Sequence, residues 1–157
     1  MAVSPKGEFR KPTTIERTFN RIFGWMVSAG IGPRDSYLLE VTGRKSGRTY
    51  STPVYIMEIA NRTFLVCPRG RAQWVINAEA SGKLWLSKGS ERTEYSIRKA
   101  PSIDKPELLR AYLSRFKFTV QRYFPVQDGS PASAFVPIAK RYPVFELIPE
   151  VVSETAT

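Results

Sequence analysis

The chain has 157 residues, 42 % of them apolar, and its 24 lysines and arginines outnumber 14 acidic residues to give a net charge of +10. This length and apolar content predict one globular domain with a sizeable core, and the positive charge predicts an anionic partner: nucleic acid, acidic lipid or a polyanionic small molecule. The lack of histidine excludes Ser-His-Asp hydrolysis, histidine-bound metals and imidazole acid–base chemistry. The one cysteine, Cys67, excludes a disulfide framework and a cysteine zinc cluster, and it favours a reducing, cytoplasmic compartment. No metal is therefore expected, and any difficult chemistry is expected to belong to an organic cofactor.

The N-terminal part of the chain divides into a basic arm and a helical pattern. Residues 1–12 are polar and lack the apolar segment of a signal peptide, so a flexible arm is expected. From residue 13 to residue 29, apolar side chains recur at steps of three and four behind a capping box of Thr13 and Glu16, which predicts an amphipathic helix. This helix either covers the open end of a barrel or contacts a membrane surface through Trp25 and its arginines, and it is too short to span a bilayer.

The rest of the chain predicts mainly short antiparallel strands. Apolar patterning predicts strands over residues 36–42, 50–59, 63–67, 83–88, 92–99 and 144–148, with turns at Asn61-Arg62 and Gly89-Ser90. Helical periodicity predicts a short helix over 75–80, a longer one introduced by Asp104 and Glu107 as caps, and a weaker segment over 133–140. Because open sheet edges promote aggregation, these elements favour an α+β, mainly β fold: a small antiparallel barrel with flanking helices. On this interpretation residues 13–150 form a single domain and residues 151–157 a loose tail.

Two basic, glycine-containing loops border the predicted strands. The first contains Arg44, Lys45, Ser46, Gly47 and Arg48, and glycines there let backbone amides turn toward one point beside the cations, as an anion site requires. The same pattern is also typical of an ordinary solvated hairpin.

The second loop contains Pro68, Arg69, Gly70 and Arg71 where a strand leads into a helix, whose N-terminal amides attract anions. The sequence has neither a Gly-x-Gly-x-x-Gly fingerprint after a strand nor a P-loop, so neither Rossmann binding of a dinucleotide nor P-loop binding of a nucleotide is indicated.

With these motifs the sequence resembles the deazaflavin (coenzyme F420)-dependent nitroreductase and quinone reductase family of split β-barrel proteins. The resemblance covers residues 14–149 and rests on the first loop with Thr52-Pro53 after it, on Pro68-Arg69-Gly70 followed by Gln73-Trp74 and Asn77, and on the closing Pro143-Val144-Phe145-Glu146-Leu147. It implies a fold like that of the FMN-binding split barrels, with coenzyme F420 as the cofactor. The family's coenzyme joins a flavin-like ring to a phosphodiester and an acidic oligoglutamate tail, and the clustered cations suit this longer polyanion better than FMN.

The resemblance also implies roles for individual residues. The predicted cofactor-binding residues are Arg44, Lys45, Ser46, Gly47, Arg48, Thr52, Pro53, Val54, Pro68, Arg69, Gly70, Arg71, Gln73, Trp74 and Asn77. Among them the cations and the amides of Ser46 and Gly47 would hold the phosphate and tail, residues 52–54 would place backbone against the ring, and Trp74 and Asn77 would border the pocket. The aromatic side chains expected to line a substrate pocket are Tyr112, Phe116 and Tyr123. Taken alone, Trp74 and these aromatics also fit ordinary core positions, and Asn77 fits a helix surface or cap.

The function implied is hydride transfer from reduced coenzyme F420 to a small, apolar, electron-poor acceptor such as a quinone, an enone or a nitro compound. Val75-Ile76 after Trp74 departs from the nitroreductase members, which weakens the case for nitro compounds. No side chain stands out as a proton donor, so no catalytic residue is assigned. The alternatives are a noncatalytic split barrel that binds a deazaflavin, a flavin or a fatty acid-like ligand, and a nucleic-acid binder, which is disfavoured because no known nucleic-acid motif is present. Either a monomer or a homodimer fits the sequence.

Overall fold

The structure is a computed structural model that describes residues 35–150. The predicted basic arm at 1–12, the predicted helix at 13–29 and the predicted tail at 151–157 lie outside the described residues.

The described residues contain six antiparallel strands that close into a barrel, in the spatial order β1-β2-β3-β6-β5-β4. The strands are β1 (Ser36–Thr42), β2 (Thr49–Ile59), β3 (Arg62–Val66), β4 (Lys83–Lys88), β5 (Glu91–Lys99) and β6 (Val144–Pro149). Pairing of β1 with β4 closes the ring, so each of these strands has two neighbours. Because a closed barrel leaves no open sheet edge, this topology agrees with the mainly β, antiparallel barrel that the sequence predicts.

The strand boundaries follow the predicted ones to within one residue, and the turn between β2 and β3 is shifted by one. Ala60 and Asn61 occupy this turn, with φ of +51° and +63°. A tight hairpin turn with both central residues at positive φ suits the right-handed twist of the flanking strands, and Asn tolerates that conformation. Arg62, which the sequence places in the turn, instead begins β3 and pairs with Ile59.

Two α-helices and two 3₁₀ segments accompany the barrel in the described part of the chain. They are α1 (Gln73–Ser81), α2 (Lys105–Val120), and the 3₁₀ segments Gln121–Tyr123 and Ala132–Arg141. Helix α1 begins two residues before its predicted start and ends at Gly82, whose φ of +76° suits glycine. The predicted capping of α2 is wrong: Asp104 has helical φ and ψ and makes no capping bond, and Glu107 pairs with Arg110 instead.

The apolar side chains form two clusters because the strands β2, β3 and β6 bury both of their faces. Along β3 and the residue after it, Leu65 and Cys67 join a cluster with α1, while Phe64 and Val66 join a second cluster with α2 and the 3₁₀ segments. Strands buried on both faces lose the alternation of polar and apolar residues, which explains the continuous apolar run from residue 64 to 67.

Glu146 is the one charged residue among the buried side chains of the described core, and it is paired on both sides. It lies on β6 opposite Phe64 and Arg98, and Arg62 donates to its carboxylate from Nε and Nη2, both at 2.9 Å. Arg98 also donates to Oε1. Hydrogen bonds from Arg62 and then Arg98 lower the pKa of Glu146 from its ordinary value of 4.5 to about 2. The ion pairs therefore connect β3, β6 and β5 across the outside of the barrel.

We expect Glu146→Gln to lower the free energy of unfolding by about 2 kcal/mol at neutral pH, because three hydrogen bonds to a charged group are weakened. Since the folded pKa lies below the ordinary value, this stabilisation is complete above pH 4.5 and is lost as pH falls toward 2. Urea unfolding at pH 7 and pH 3 should show the variant losing much of the wild-type pH dependence. The exposed Glu91→Gln is the matched control, and an equal loss in both variants would contradict this role for Glu146.

Candidate cofactor site

One cavity of about 660 Å³ opens beside the β1–β2 turn, and parts of the chain far apart in sequence form its wall. The lining comprises Gly43, Arg44, Lys45, Ser46, Tyr50, Ser51, Thr52, Pro53, Val54, Tyr55, Val66, Cys67, Pro68, Arg69, Ala72, Gln73, Trp74, Asn77, Tyr112, Thr119, Val120, Arg122 and Tyr123. They come from the β1–β2 turn and β2, from the loop between β3 and α1 with the start of α1, and from the middle and C-terminal end of α2 with the 3₁₀ turn that follows. A cavity of this size lies within the range of small-molecule and cofactor sites.

The β1–β2 turn is held by its own backbone. The Gly47 amide donates to the Gly43 carbonyl at 3.0 Å, and the Gly43 amide donates to the Arg48 carbonyl at 2.7 Å. Gly47 has a φ of +70°, a conformation that is strained for residues with a side chain. The Ser46 hydroxyl oxygen accepts a hydrogen bond from the Arg48 amide at 3.2 Å. The Gly47 amide is thus used inside the turn, in contrast to its predicted role as an anion ligand, and neither Gly47 nor Arg48 lines the cavity.

Arg44 belongs to the same turn but does line the cavity, and hydrogen bonds hold it against α1. The Asn77 side-chain oxygen accepts from the Arg44 amide at 3.1 Å and from Arg44 Nη1 at 2.8 Å, and the Gln73 side-chain oxygen accepts from the same Nη1 at 3.2 Å. Asn77 is only 6 % exposed, so its place in the middle of α1 is neither a helix surface nor a cap. Because both the backbone amide and the guanidinium of Arg44 are held, this residue loses little conformational freedom when an anion binds.

The polar lining of the cavity is cationic. Among the described residues that line it, Arg44, Lys45, Arg69 and Arg122 carry positive charge and there is no carboxylate. Such a one-sided arrangement, partly screened from water, attracts an anionic ligand. Arg71, predicted to belong with these cations, instead lies 3.7 Å from Glu79 and does not line the cavity, nor does Gly70.

The inner wall of the cavity is apolar and aromatic. Trp74 contributes to it and also packs against the buried Phe145, with ring centroids 6.2 Å apart. Tyr112 lines the cavity although it is only 2 % exposed. Phe116 does not line it: α2 kinks at this residue, whose ring stacks on Tyr55 with centroids 4.6 Å apart. Phe116 therefore supports the wall from behind.

Cys67 lies in this wall as an uncharged thiol. Its side chain is 2 % exposed, and burial raises the pKa of the Cys67 thiol to about 11. Because the reactive form of cysteine is the thiolate, this residue contributes packing and no nucleophile to the cavity.

Ten lining residues are absent from the predicted site. They are Gly43, Tyr50, Ser51, Tyr55, Val66, Cys67, Ala72, Thr119, Val120 and Arg122. Those in β2 and β3 lie close in sequence to predicted site residues, so they could have been found by adding the neighbouring strand positions to the predicted site. Thr119, Val120 and Arg122 carry no local signal, because only the packing of α2 and its 3₁₀ extension brings them to the cavity.

The described residues contain no cluster of acidic and cysteine side chains that could hold a metal ion. Within the same part of the chain, no helix is long and apolar enough to cross a membrane.

Barrel and cavity together define a split-barrel protein with a cationic cavity. The sequence matches the F420H(2)-dependent quinone reductase family over residues 9–123, and the chain belongs to this family. Membership gives coenzyme F420 as its cofactor and an F420-dependent reduction as its class of reaction. The structure agrees with this cofactor, because an anchored arginine and a lysine flank an apolar wall suited to a ring. Comparison with curated proteins finds no significant match.

Solved structures share the fold at low sequence identity. A protein described as a domain-swapped dimer has 15 % identity and a TM-score of 0.52, with 85 % of this chain and 96 % of that chain covered. The heme storage protein HutZ from Vibrio cholerae has 12 % identity and a TM-score of 0.52, with 88 % and 92 % covered. A candidate pyridoxamine 5′-phosphate oxidase from Listeria innocua has 7 % identity and a TM-score of 0.50, with 74 % and 85 % covered. At these identities the likeness shows the fold alone.

Proposed function

We propose that this protein transfers a hydride from reduced coenzyme F420 to an apolar, electron-poor acceptor: a quinone, an enone or a nitro compound. The observation that carries the proposal is a single cavity in which a cationic rim, formed by Arg44 and Lys45, adjoins an aromatic wall that includes Trp74. Asn77 anchors the Arg44 side of this rim. The rim suits the acidic tail of the coenzyme, and the wall suits two flat rings in contact.

The coenzyme-binding residues that we propose all line the cavity. Arg44 and Lys45 bind the phosphodiester and acidic tail, assisted by the Ser46 side of the turn. Each charge-assisted hydrogen bond to these groups contributes about 1.5–3 kcal/mol when it is shielded from water. Residues 52–54 face the ring with backbone, and Trp74, Gln73 and Pro68 border it.

When bound, reduced coenzyme F420 supplies the hydride, and the protein supplies position and a dry environment. Tyr112 and Tyr123 line the same cavity, and the proposal places an apolar acceptor against them, beside the ring. Holding two reactants in contact replaces a bimolecular encounter with a local one and accounts for much of the rate.

The assembly and location belong to the same proposal. A cytoplasmic enzyme fits the single reduced cysteine, and the structural neighbour described as a domain-swapped dimer supports a homodimer over a monomer. Contact with a membrane through the first helix stays a sequence prediction, because that segment lies outside the described residues.

Titration of the purified protein with oxidised coenzyme F420, with FMN in parallel, tests the cofactor. We expect the deazaflavin to bind at least about tenfold more tightly, because it places more anionic groups on the cationic rim. Oxidation of the reduced coenzyme is then followed with 1,4-naphthoquinone, 2-cyclohexenone and nitrobenzene. Coenzyme binding without oxidation by any of the three would contradict a reductase and favour a binding protein.

A further inference from the structure

Tyr123 is the meeting point of two arginines in the cavity wall. Its hydroxyl oxygen lies 2.7 Å from Arg122 Nη2 and 3.3 Å from Arg69 Nη2. Both guanidiniums also lie over its ring, 4.8 Å and 5.7 Å from the centroid. Arg69 comes from the loop between β3 and α1, so the arrangement joins two separate walls of the cavity.

The hydrogen-bonding capacity of these groups determines how the hydroxyl can act. A guanidinium only donates, so the phenolic oxygen accepts from Arg69 and from Arg122, and its own hydrogen is left for a third partner. The 3₁₀ turn that carries the residue is fixed as well, because the Tyr142 hydroxyl donates to the Tyr123 carbonyl at 2.6 Å. The hydroxyl is thus held in place, and within residues 35–150 no acceptor takes its own hydrogen, in a side chain that lines the cavity.

We infer that Tyr123 donates this hydrogen to the oxygen of the bound acceptor and is the proton donor of the reduction. The inference rests on the proposed function and adds a catalytic residue to it. In the reduction of an enone, reduced coenzyme F420 would supply the hydride by losing one of its C–H bonds and becoming oxidised, and the hydride electron pair forms the new C–H bond at the acceptor carbon. The conjugated π electrons move to the acceptor oxygen, which takes the proton from Tyr123. The electron pair of the broken O–H bond stays on the phenolic oxygen, and a proton from solvent restores the hydroxyl.

The two arginines make this transfer favourable. Negative charge that develops on the phenolic oxygen meets two guanidiniums that already donate to it, so no group has to reorient during the step. Arg69 and Arg122 are therefore positioning residues for Tyr123 in addition to contributing to the positive field.

The first test measures binding without coenzyme. Equilibrium dialysis compares 9-fluorenone with fluorene, which has the same flat shape and no oxygen, on the wild type and on Tyr123→Phe. We expect the wild type to prefer the ketone by about fivefold and the variant to lose this preference, with fluorene binding unchanged. Tyr95→Phe, on β5 and outside the cavity lining, is the matched control and should keep the preference. An undiminished preference in Tyr123→Phe would overturn the inference.

The second test measures turnover with reduced coenzyme F420. Tyr123→Phe should lower kcat by about 100-fold, keep coenzyme affinity within about twofold, and raise the solvent deuterium isotope effect on kcat above that of the wild type, because protonation by water then limits turnover. An unchanged kcat would also overturn the inference. If the wild type itself oxidises no reduced coenzyme, the proposed function fails, and the dialysis result still decides whether the hydroxyl binds an acceptor oxygen.

Discussion

Arg44→Ala is expected to weaken binding of coenzyme F420 by about 100-fold, the largest change that removal of one side chain from this site should cause. The Arg44 guanidinium lies in the cavity wall and is held there by Asn77 at 2.8 Å and Gln73 at 3.2 Å. Its loss removes charge-assisted hydrogen bonds to an anionic group, each contributing about 1.5–3 kcal/mol. Fluorescence titration measures the affinity, and the loss should shrink at high salt because rim charges are screened.

Arg48→Ala is the matched control for this experiment. It removes the same charge from the same turn, but Arg48 lies outside the cavity lining. We expect its affinity for the coenzyme to stay within about threefold of the wild type, since an exposed charge acts on the ligand only through a screened field. Equal losses in the two variants would show that net charge, and not the geometry around Asn77, determines binding.

Phe145→Ala is expected to lower the free energy of unfolding by about 3–5 kcal/mol. Phe145 is 1 % exposed and lies on β6, which pairs with β3 on one side and β5 on the other. Its removal leaves a cavity in the cluster that α1 shares with the barrel, and it withdraws the ring that supports Trp74. Urea unfolding, monitored by tryptophan fluorescence, measures the loss of free energy of unfolding. The fluorescence of the folded variant reports the changed surroundings of Trp74.

Ile148→Ala provides the comparison on the same strand. Ile148 is 40 % exposed, so its truncation should cost less than about 1 kcal/mol. If Phe145→Ala were no more damaging than Ile148→Ala, the cluster around α1 would not carry the stability assigned to it. Coenzyme affinity of Phe145→Ala, measured below its unfolding midpoint, should fall as well, because Trp74 loses its packing partner.

Sequence patterns were reliable where local chemistry decides the structure. The Gly89-Ser90 turn, the end of α1 at Gly82 and the strands on either side of the basic loop follow from turn propensity and alternation alone. The weak helical segment predicted over residues 133–140 is a 3₁₀ segment, Ala132–Arg141, in which Pro137 cannot donate the hydrogen bond that an α-helix needs. The patterns failed where a competing partner was available. Glu107 does not cap the helix as predicted, because it forms an ion pair with Arg110 one turn away.

By itself, the sequence predicted a small, mainly β barrel with an anionic partner, and its resemblance to the deazaflavin-dependent family implied an F420-type reductase. Only the tertiary structure decided which cations face the cavity. Arg44 and Arg48 stand four positions apart in one turn, yet the backbone bonds of Gly47 and the buried Asn77 point only Arg44 into the cavity. Arg69 and Tyr123, 54 positions apart, meet because α2 and its 3₁₀ extension pack over β2 and β3. Which side chains face the cavity depends on such long-range packing, which local sequence does not encode.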